Sequence, residues 1–280
     1  MAEERQLLLQ NGLWEAGVRH DTAVLRPLTG VDEIAWAEAE VLPAVQATAL
    51  LASAVQTIGT IAPVTRAHVR ALTIGDRERL LLGLYAASFG RAVDTILSCP
   101  GCTETIELPL DLDELLDIAA ALPPAEEHCI ETGSLVLRFR LPNGADQEQA
   151  ARMAVTKVED GTAALRESCV LALSARDGCR LAPSQIPDSL QDAFEDALRR
   201  LDPAAEIVVA ADCPACGERV KATLDAVSLL AGQLGAPGSV LVDIDRLARA
   251  YHWSEAAILG LSTPRRRGYL ALLAHAGMPA

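Results

Sequence analysis

Two Cys-x-x-Cys turns constrain the fold of this chain more than any other feature. They are Cys99-Pro-Gly-Cys102 and Cys213-Pro-Ala-Cys216, each with a proline after the first cysteine. Four soft thiolate ligands satisfy a structural zinc ion and leave no open coordination position for chemistry. The surrounding residues repeat as well, because residues 99–116 align with residues 213–230 without a gap, at a constant offset of 114. We interpret the repeat as a duplicated unit of strand, zinc knuckle, strand and short helix.

The repeat leaves the arrangement of the metal open. In one arrangement the two hairpins face each other about a pseudo-two-fold axis and share one four-cysteine zinc, which structural zinc sites favour. In the other, each knuckle has only two thiolates and binds no metal or borrows ligands. A redox dithiol is a third interpretation, but thioredoxin-type pairs stand at a helix N-terminus, whereas β-type sequence follows each pair here. Three further cysteines are scattered; they are Cys129, Cys169 and Cys179. One histidine beside one cysteine, His128 and Cys129, is weak evidence for ligands that complete a metal site, because a lone cysteine is commonly a small buried hydrophobe. We interpret Cys169 as a core residue.

Composition narrows the class of protein. The chain has 280 residues, of which half are hydrophobic, and a net charge of −14, which argues against a broad nucleic-acid-binding surface. Seven cysteines without a dense disulfide framework, together with the absence of a signal peptide, predict a cytoplasmic protein. The longest apolar run, residues 45–58, is interrupted by polar side chains, so we expect no membrane-spanning segment.

Helical patterns dominate the rest of the sequence. We therefore predict an α+β fold, mainly helical, with two duplicated zinc-knuckle β-hairpin units and a C-terminal helical module. We expect residues 1–30 to form a docked loop or a short strand, residues 31–51 to be helical, and residues 162–175 to form one amphipathic helix. The predicted regions are an N-terminal helical region (1–91), a first knuckle hairpin and strand unit (92–150), helices with the second knuckle hairpin (151–232) and the C-terminal helical module (233–280).

Two charged runs stand at predicted helix starts. The run Thr73-Ile-Gly-Asp-Arg-Glu-Arg-Leu80 opens a helix that ends at Gly90, and we interpret its charges as a cap at Asp76 and solvated surface groups. The run Arg265-Arg266-Arg267 opposes the dipole of the last helix. We expect it to be a solvated face, or to meet an acidic partner or an acidic patch of this chain.

Catalytic motifs do not stand out. The sequence has no phosphate-binding glycine loop followed by Lys-Ser or Lys-Thr, no His-Glu-x-x-His and no Gly-x-Ser-x-Gly. Its five histidines are scattered and form no convincing pair for acid–base work. We therefore expect a protein without enzymatic activity.

The order of several short motifs resembles one known family. Residues 72–80, 89–90, 99–102, 110–112, 140–144, 202–206 and 213–217 together resemble the T-even-type phage baseplate proteins, often called baseplate hub assembly chaperones. Members occur in contractile phage tails and in phage-derived contractile injection systems. Residues 247–255, 258–259 and 265–270 resemble a small helical module found beside or fused to such proteins. The similarity begins at about Pro27 and carries no catalytic residue.

The resemblance implies an assembly factor or minor structural component of a contractile baseplate that binds a hub, spike or tape-measure protein. Aromatic residues are scarce in this chain, and three of the nine fall within nineteen residues near its end, which suggests anchors for a partner. Packing inside the helical module explains them equally well. The expected partner-binding residues are Tyr251, Trp253, Arg265, Arg266, Arg267 and Tyr269. The alternative function is a zinc-ribbon regulator that contacts nucleic acid, against which the acidic charge and the lack of aromatic–basic interleaving count.

Overall fold

The computed structural model describes residues 4–118, 122–176, 180–181, 186–234 and 238–275, so Cys179 lies outside the described residues. The fold mixes helices with several small antiparallel sheets. The elements of the first half are β1 (Arg5–Glu15), β2 (Val18–Leu25), α1 (Gly30–Glu38), α2 (Pro43–Ala54), β3 (Val55–Ile58), α3 (Arg66–Ala71), α4 (Ile74–Phe89), β4 (Ala92–Ser98), β5 (Thr105–Asp111) and α5 (Leu112–Leu116).

The second half runs through a similar series. Its elements are β6 (His128–Thr132), β7 (Leu135–Phe139), α6 (Gly144–Ala154), α7 (Val158–Cys169), β8 (Val170–Ala175), β9 (Arg180–Leu181), α8 (Asp188–Leu201), a 3₁₀ turn (Pro203–Ala205), β10 (Val208–Asp212), β11 (Arg219–Thr223) and α9 (Ala226–Leu234). Three helices follow: α10 (Ser239–Tyr251), α11 (Glu255–Leu259) and α12 (Thr263–His275).

The two halves share most of their element order and strand pairing, although the first half has helix α3 at the point where the second half has strand β9. Strands β1, β2 and β3 form one antiparallel sheet in that order, and β6, β7, β8 and β9 form the other. In each half a separate two-stranded hairpin follows, β4 with β5 and β10 with β11. Helices α1 and α6, α4 and α8, and α5 and α9 begin 114 residues apart, which is the spacing of the two cysteine turns.

Three apolar clusters hold the fold together. The largest gathers side chains of β1, β2, α2 and α4 and extends to Val93, Leu112 and Leu230. A second joins β7 and β8 to α8 through an edge-to-face contact between Phe139 and Phe194. The third lies between the two hairpins. The largest cluster contains residues from both sides of residue 91, so the first two predicted regions share one core. The division of the chain into four regions stays a prediction.

The N-terminal segment differs from its prediction. It is a long antiparallel hairpin, neither a loop nor a short strand, with β1 and β2 paired from Arg5–Leu25 to Glu15–Val18. A register shift between Leu8 and Leu13 accommodates Gly12, whose φ is +73°. The turn residues that suggested a loop are therefore a bulge and a hairpin turn within one ribbon.

Two predicted helices end earlier than expected. The helical pattern of residues 31–51 is broken because α1 ends at Glu38 and Pro43 starts α2 at its first position. The predicted helix 162–175 ends at Cys169, and β8 follows at once, pairing Leu173 with Leu137 of β7. The spacing of Leu165, Cys169 and Leu173 would place them on one face of a helix. Leu173 is nevertheless in a strand, because its pairing with β7 outweighs the local helical pattern.

One stretch, Ala226–Tyr251, satisfies the length and composition of a membrane-spanning helix. In its first part, Val227, Leu230 and Leu234 pack into the largest apolar cluster. Burial in a protein core explains an apolar helix as well as a membrane does. The absence of a membrane segment remains a prediction.

Candidate metal centre and buried polar network

The four cysteines of the two turns meet at the tips of the two hairpins. Their sulfur atoms all lie within 4.8 Å of one another. Two of the separations cross from one hairpin to the other, 3.6 Å for Cys99–Cys216 and 3.5 Å for Cys102–Cys213. A tetrahedral zinc with bonds of about 2.3 Å sets its sulfurs about 3.8 Å apart, whereas a disulfide needs about 2.05 Å. The cluster therefore has the dimensions of a four-thiolate metal site.

The two turns have the same backbone geometry. The Cys99 N–H donates to the Glu104 carbonyl at 2.9 Å, and the Cys213 N–H donates to the Glu218 carbonyl at 2.8 Å. The backbone N–H of Cys216, together with that of Ala215, lowers the pKa of the Cys213 thiol to about 7. Such N–H donors favour the thiolate, which is the form that binds a metal. The Glu104 backbone N–H acts in the same direction on Cys102, but hydrogen bonds with the thiols of Cys216 and Cys213 raise the pKa of Cys102 to about 12.

The sides of the hairpins that face each other are apolar. Leu97, Ile106 and Val220 are buried between them, together with the first cysteine of each turn, Cys99 and Cys213. The second cysteine of each turn is exposed. A metal at this site would therefore be covered on its inner side by aliphatic groups and open to solvent only at its outer edge.

A glycine at position 103 should stabilise the first turn. Thr103 has a φ of +61°, whereas the corresponding residue of the second turn is Gly217, with a φ of +75°. A β-branched residue in the left-handed region costs about 1–2 kcal/mol of backbone strain, which glycine would relieve. Part of that gain is offset because glycine loses more conformational entropy on folding. We expect Thr103→Gly to raise the free energy of unfolding by about 0.5 kcal/mol in urea titrations. Gly217→Ala, the matched reverse change, should lower it; equal effects of the two would contradict the argument.

Neither His128 nor Cys129 belongs to the metal cluster. Both lie on β6, where Cys129 is exposed and the ring of His128 packs against Phe139 with centroids 5.5 Å apart. Cys169 is buried in the second apolar cluster and donates to the Leu165 carbonyl at 3.2 Å, which confirms its assignment as a core residue.

The charges at the start of α4 are buried, so their interpretation as solvated groups was wrong. Thr73, and not Asp76, caps the helix, accepting from the Asp76 N–H at 3.2 Å. The Asp76 carboxylate instead accepts from three consecutive backbone N–H groups of β1, at 2.6, 3.0 and 2.7 Å; these belong to Gln10, Asn11 and Gly12. The side chain thus accepts hydrogen bonds from the edge N–H groups of β1, which a neighbouring strand would otherwise accept.

Arg79 extends the same contact along β1. Its guanidinium donates to the Leu8 carbonyl at 3.3 Å and to the Ile118 carbonyl at 3.1 Å. Arg19, from β2, curls back to the carbonyls of Leu9 and Gln10 at 3.2 and 2.8 Å. Side chains therefore occupy edge groups of β1 that would otherwise be open to pairing with another strand.

A second buried carboxylate lies beside the first. Asp202, at the end of α8, accepts from the Gly75 N–H at 2.9 Å and from the Asn11 amide at 3.2 Å. Burial, reinforced by the nearby Asp76 carboxylate, raises the pKa of Asp202 to about 7. This contact joins β1, α4 and the segment after α8, which lie far apart in the sequence.

Lowering the pH from 8 to 6 should stabilise the fold through Asp202. The folded state binds the proton near pH 7, whereas an unfolded aspartate binds it near 3.9, so stability is lost as the pH rises through 7. For one such group the expected gain in unfolding free energy from pH 8 to pH 6 is about 1.4 kcal/mol. Denaturant titrations at both pH values should show a smaller pH dependence for Asp202→Asn than for the natural chain. An unchanged dependence would remove Asp202 as its source.

Arg77 is the centre of a further buried network. It is 1% exposed, and its guanidinium donates to the Ala44 carbonyl at 2.9 Å, the Val69 carbonyl at 3.2 Å and the Thr48 hydroxyl at 3.0 Å. The Thr48 hydroxyl donates to Glu148 of α6 at 2.6 Å. Burial lowers the pKa of Arg77 to about 10, so it remains charged at neutral pH. The network ties α2 and α4 of the first half to α6 of the second.

The sequence contained a signal for this burial. After its charged start, α4 continues with Leu80, Leu81, Leu82 and Leu84, which occupy all sides of the helix. A helix that is apolar all round is buried on all sides. Charged groups one turn earlier then need partners inside the protein.

The predicted partner-binding aromatics lie together. Tyr251 and Trp253 are stacked with ring centroids 4.8 Å apart, and Tyr269 meets the Trp253 ring edge-on at 4.9 Å. The guanidinium of Arg265 lies 6.0 Å from the centroid of the Tyr269 ring. All three rings are half-buried, so they pack the module and also present an outer surface.

The three arginines of α12 have different environments. Arg265 and Arg267 are exposed, and Arg267 bonds Gln233 and lies over the Phe89 ring at 5.9 Å. Arg266 is 1% exposed and pairs with Glu33 at 2.6 Å. Arg266 therefore meets an acidic group of this chain, which is one of the alternatives that the sequence left open, and its contact with another protein stays a prediction.

A family model described as "T4 bacteriophage base plate protein" matches residues 25–228. The matched range contains both cysteine turns and the buried charges of α4, and it ends before α10 begins. No curated protein and no solved structure matches the chain.

Proposed function

Because the chain belongs to the T4 bacteriophage base plate protein family, we propose that it is a non-enzymatic assembly factor or minor structural component of a contractile tail or injection-system baseplate. The family match over residues 25–228 is the observation that carries the proposal. The interior supports it, because the buried charged side chains of α4 already have hydrogen-bond partners in other segments of the chain. We also propose a cytoplasmic location, where reduced thiols are maintained.

We propose that Cys99, Cys102, Cys213 and Cys216 bind one structural zinc. The fit of the sulfur cluster to a tetrahedral four-thiolate site supports this. The ion would connect two hairpins from different halves of the chain. The common order and spacing of the elements support the further proposal that the two halves, knuckles included, are a duplicated unit.

We propose that the surface around Tyr251, Trp253, Tyr269, Arg265 and Arg267 binds a hub, spike or tape-measure protein. Rigid aromatic side chains with partly exposed rings are common anchors in protein interfaces. The exposed guanidinium groups beside them suit a partner surface that carries carboxylates.

Copurification tests this function. The tagged chain is coexpressed with the hub, spike and tape-measure proteins of its own particle, and the captured complex is identified by mass spectrometry. We expect one of the three to be retained, and Trp253→Ala to weaken retention at least tenfold. Val155→Ala, at a site 73% exposed and away from the aromatic rings, should leave it unchanged. Capture of none of the three proteins with the tagged chain would contradict the proposed function.

A further inference from the structure

The N-terminus of α4 docks onto the N-terminus of α6 in a defined geometry. The Ile74 N–H donates to the Pro142 carbonyl at 3.1 Å, and the preceding residue, Thr73, forms an isolated antiparallel bridge with Asn143. The guanidinium of Arg77 then lies against Gly144, where a Cβ atom would stand 2.5 Å from its Nη1. Only glycine leaves room for the arginine at this point.

The N-terminus of α12 docks onto the N-terminus of α1 in the same geometry. The Thr263 N–H donates to the Leu28 carbonyl at 3.1 Å, and Ser262 forms an isolated antiparallel bridge with Thr29. The guanidinium of Arg266 lies against Gly30, where a Cβ atom would stand 3.1 Å from its Nη1. The backbone hydrogen bond, the isolated bridge and the arginine–glycine contact of the first docking thus each have a counterpart in the second.

The two receiving sites are built alike and lie 114 residues apart. In each, an arginine binds an aspartate through two bonds of 2.6 and 2.8 Å, and that aspartate completes a capping box with the residue before the glycine. The bonded pairs are Arg26–Asp32 and Arg140–Asp146, and the caps are Thr29 and Asn143. We call these sites, at the N-termini of α1 and α6, the first and second receptors.

The two docked helix pairs are also built alike, and they lie 189 residues apart. In each, a hydroxyl residue caps a short helix, a β-branched residue in that helix is fully buried, and an arginine in the next helix is 1% exposed. These residues are Thr65, Val69 and Arg77 in α3–α4, and Ser254, Ile258 and Arg266 in α11–α12. We call each pair an arginine hairpin.

Charge recognition is stronger at the first receptor. Arg266 donates to both oxygens of Glu33 at 2.6 Å and to Asp243 at 3.1 Å, and the Thr263 hydroxyl donates to Glu33 at 2.5 Å. Arg77 at the second receptor donates to two carbonyls and a hydroxyl instead. Both bonds to Glu33 come from one nitrogen of Arg266, Nη2, and the bond to Asp243 comes from Nε. Hydrogen bonds between a guanidinium and a carboxylate are stronger than those to a neutral carbonyl or hydroxyl.

The C-terminal arginine hairpin is attached to the body less extensively than α4 is. The buried apolar residues of α10–α12 are Val240, Leu247 and Ile258, and none belongs to the three apolar clusters of the body. Open clefts of about 810 and 840 Å³ lie on the two sides of Pro264, where α12 meets the body. A docking made mainly by polar contacts and flanked by solvent can open without unfolding the body.

We propose that the first receptor is a general docking site for an arginine hairpin, and that it accepts the α11–α12 hairpin of a second copy of this chain as well as its own. The equivalent dockings at the two receptors, one by an internal helix pair and one by a terminal pair, carry this inference. The occupant is defined by the chain itself, because α11–α12 already fills the site. The inference depends on neither the zinc nor the proposed baseplate role.

A charge exchange between two full-length chains tests it. One chain carries Glu33→Lys and the other carries Arg266→Glu, so that each repels its own hairpin but pairs with that of the other chain. We expect each variant alone to be a monomer, and their mixture to form a complex of twice the 29.6 kDa mass of one chain in native mass spectrometry. The control pair is Glu38→Lys and Arg265→Glu, which makes the same charge changes at exposed positions of the same two helices, α1 and α12. Its mixture should remain monomeric.

Hydrogen exchange of the natural chain provides a second test that does not depend on how the variants fold. Amides of α10–α12 should exchange at least tenfold faster than those of α4, because the hairpin leaves the receptor while the core stays folded. If α10–α12 exchange as slowly as α4, the hairpin opens only with the whole protein and the proposal is overturned. A mixture of folded charge-exchange variants that contains only monomers overturns it equally.

Discussion

Replacing Cys99 by serine should remove bound zinc from the protein and lower the free energy of unfolding by several kcal/mol. A serine hydroxyl is a poor zinc ligand, and a structural zinc contributes its binding free energy to folding. We expect one zinc per chain in protein purified without chelator and much less than one in Cys99→Ser. Cys213→Ser should have the same effect, because both residues would bind the same ion.

The expected loss of unfolding free energy is large because the apolar cluster between the two hairpins is small. Isolated two-stranded sheets are marginal in water. The aliphatic side chains buried between these two are Leu97, Ile106 and Val220, with Leu108, Ala211 and Ala222 partly buried against them. At about 1.5–3 kcal/mol each, their burial is of the same order as the entropy lost by ordering the turns. The metal would therefore supply most of the net stability of this part of the protein.

Cys129→Ser is the matched control, since Cys129 is exposed on β6 and outside the sulfur cluster. It should change neither the metal content nor the urea midpoint. If Cys99→Ser and Cys129→Ser retained the same metal and the same stability, the four cysteines would not be a structural metal site. Two zinc ions per chain, one of which survives each of the two substitutions Cys99→Ser and Cys213→Ser, would instead point to separate sites in the two knuckles.

The sulfur cluster was predictable from the sequence because its ligands are chemically distinctive and occur at matched spacing. Cys99 and Cys213 each begin a turn of the same length, and the following residues repeat at the same offset. The pairs Arg26–Asp32 and Arg140–Asp146 are related by that offset too, but the sequence alone does not distinguish them from other charged residues. Arginine and aspartate are common surface residues, so their spacing becomes informative only when the pairs are seen to be bonded.

The partners of the buried charges were not predictable in the same way. Asp76 satisfies backbone groups of β1 that precede it by more than sixty residues, and Arg77 reaches the Thr48 hydroxyl on α2. Side-chain patterns describe the faces of a single element, and these bonds join elements whose contact is set by the whole fold. For the same reason β8 was predicted as helix, since its pairing with β7 is a tertiary contact.

The motifs that carry the family resemblance meet inside the protein. Gly75, from residues 72–80, donates to Asp202 of residues 202–206, and Ile74 donates to Pro142 of residues 140–144. Arg77 lies against Gly144. These contacts connect helix starts and turns of both halves, so the shared motifs specify the joining of segments. The resemblance therefore reports architecture.

Gly75→Ala should lower the free energy of unfolding by about 3 kcal/mol, although it places a better helix former in the first turn of α4. A Cβ atom at this position would overlap the Asp202 carboxylate and stand 2.9 Å from the backbone nitrogen of Ala205. The backbone contact cannot be relieved by a rotamer change, so the 3₁₀ turn must move. That movement breaks the Gly75–Asp202 hydrogen bond and leaves a buried carboxylate with fewer donors.

Gly268→Ala is the matched control because Gly268 lies within α12 with nothing near the position of a Cβ atom. Alanine there should raise the free energy of unfolding by about 0.5–1 kcal/mol through helix propensity alone. Urea titrations of the two variants should thus shift in opposite directions. If both variants gained stability, helix propensity would outweigh the overlap at Asp202, and the contact between α4 and the segment after α8 would not be tight enough to fix how the two halves join.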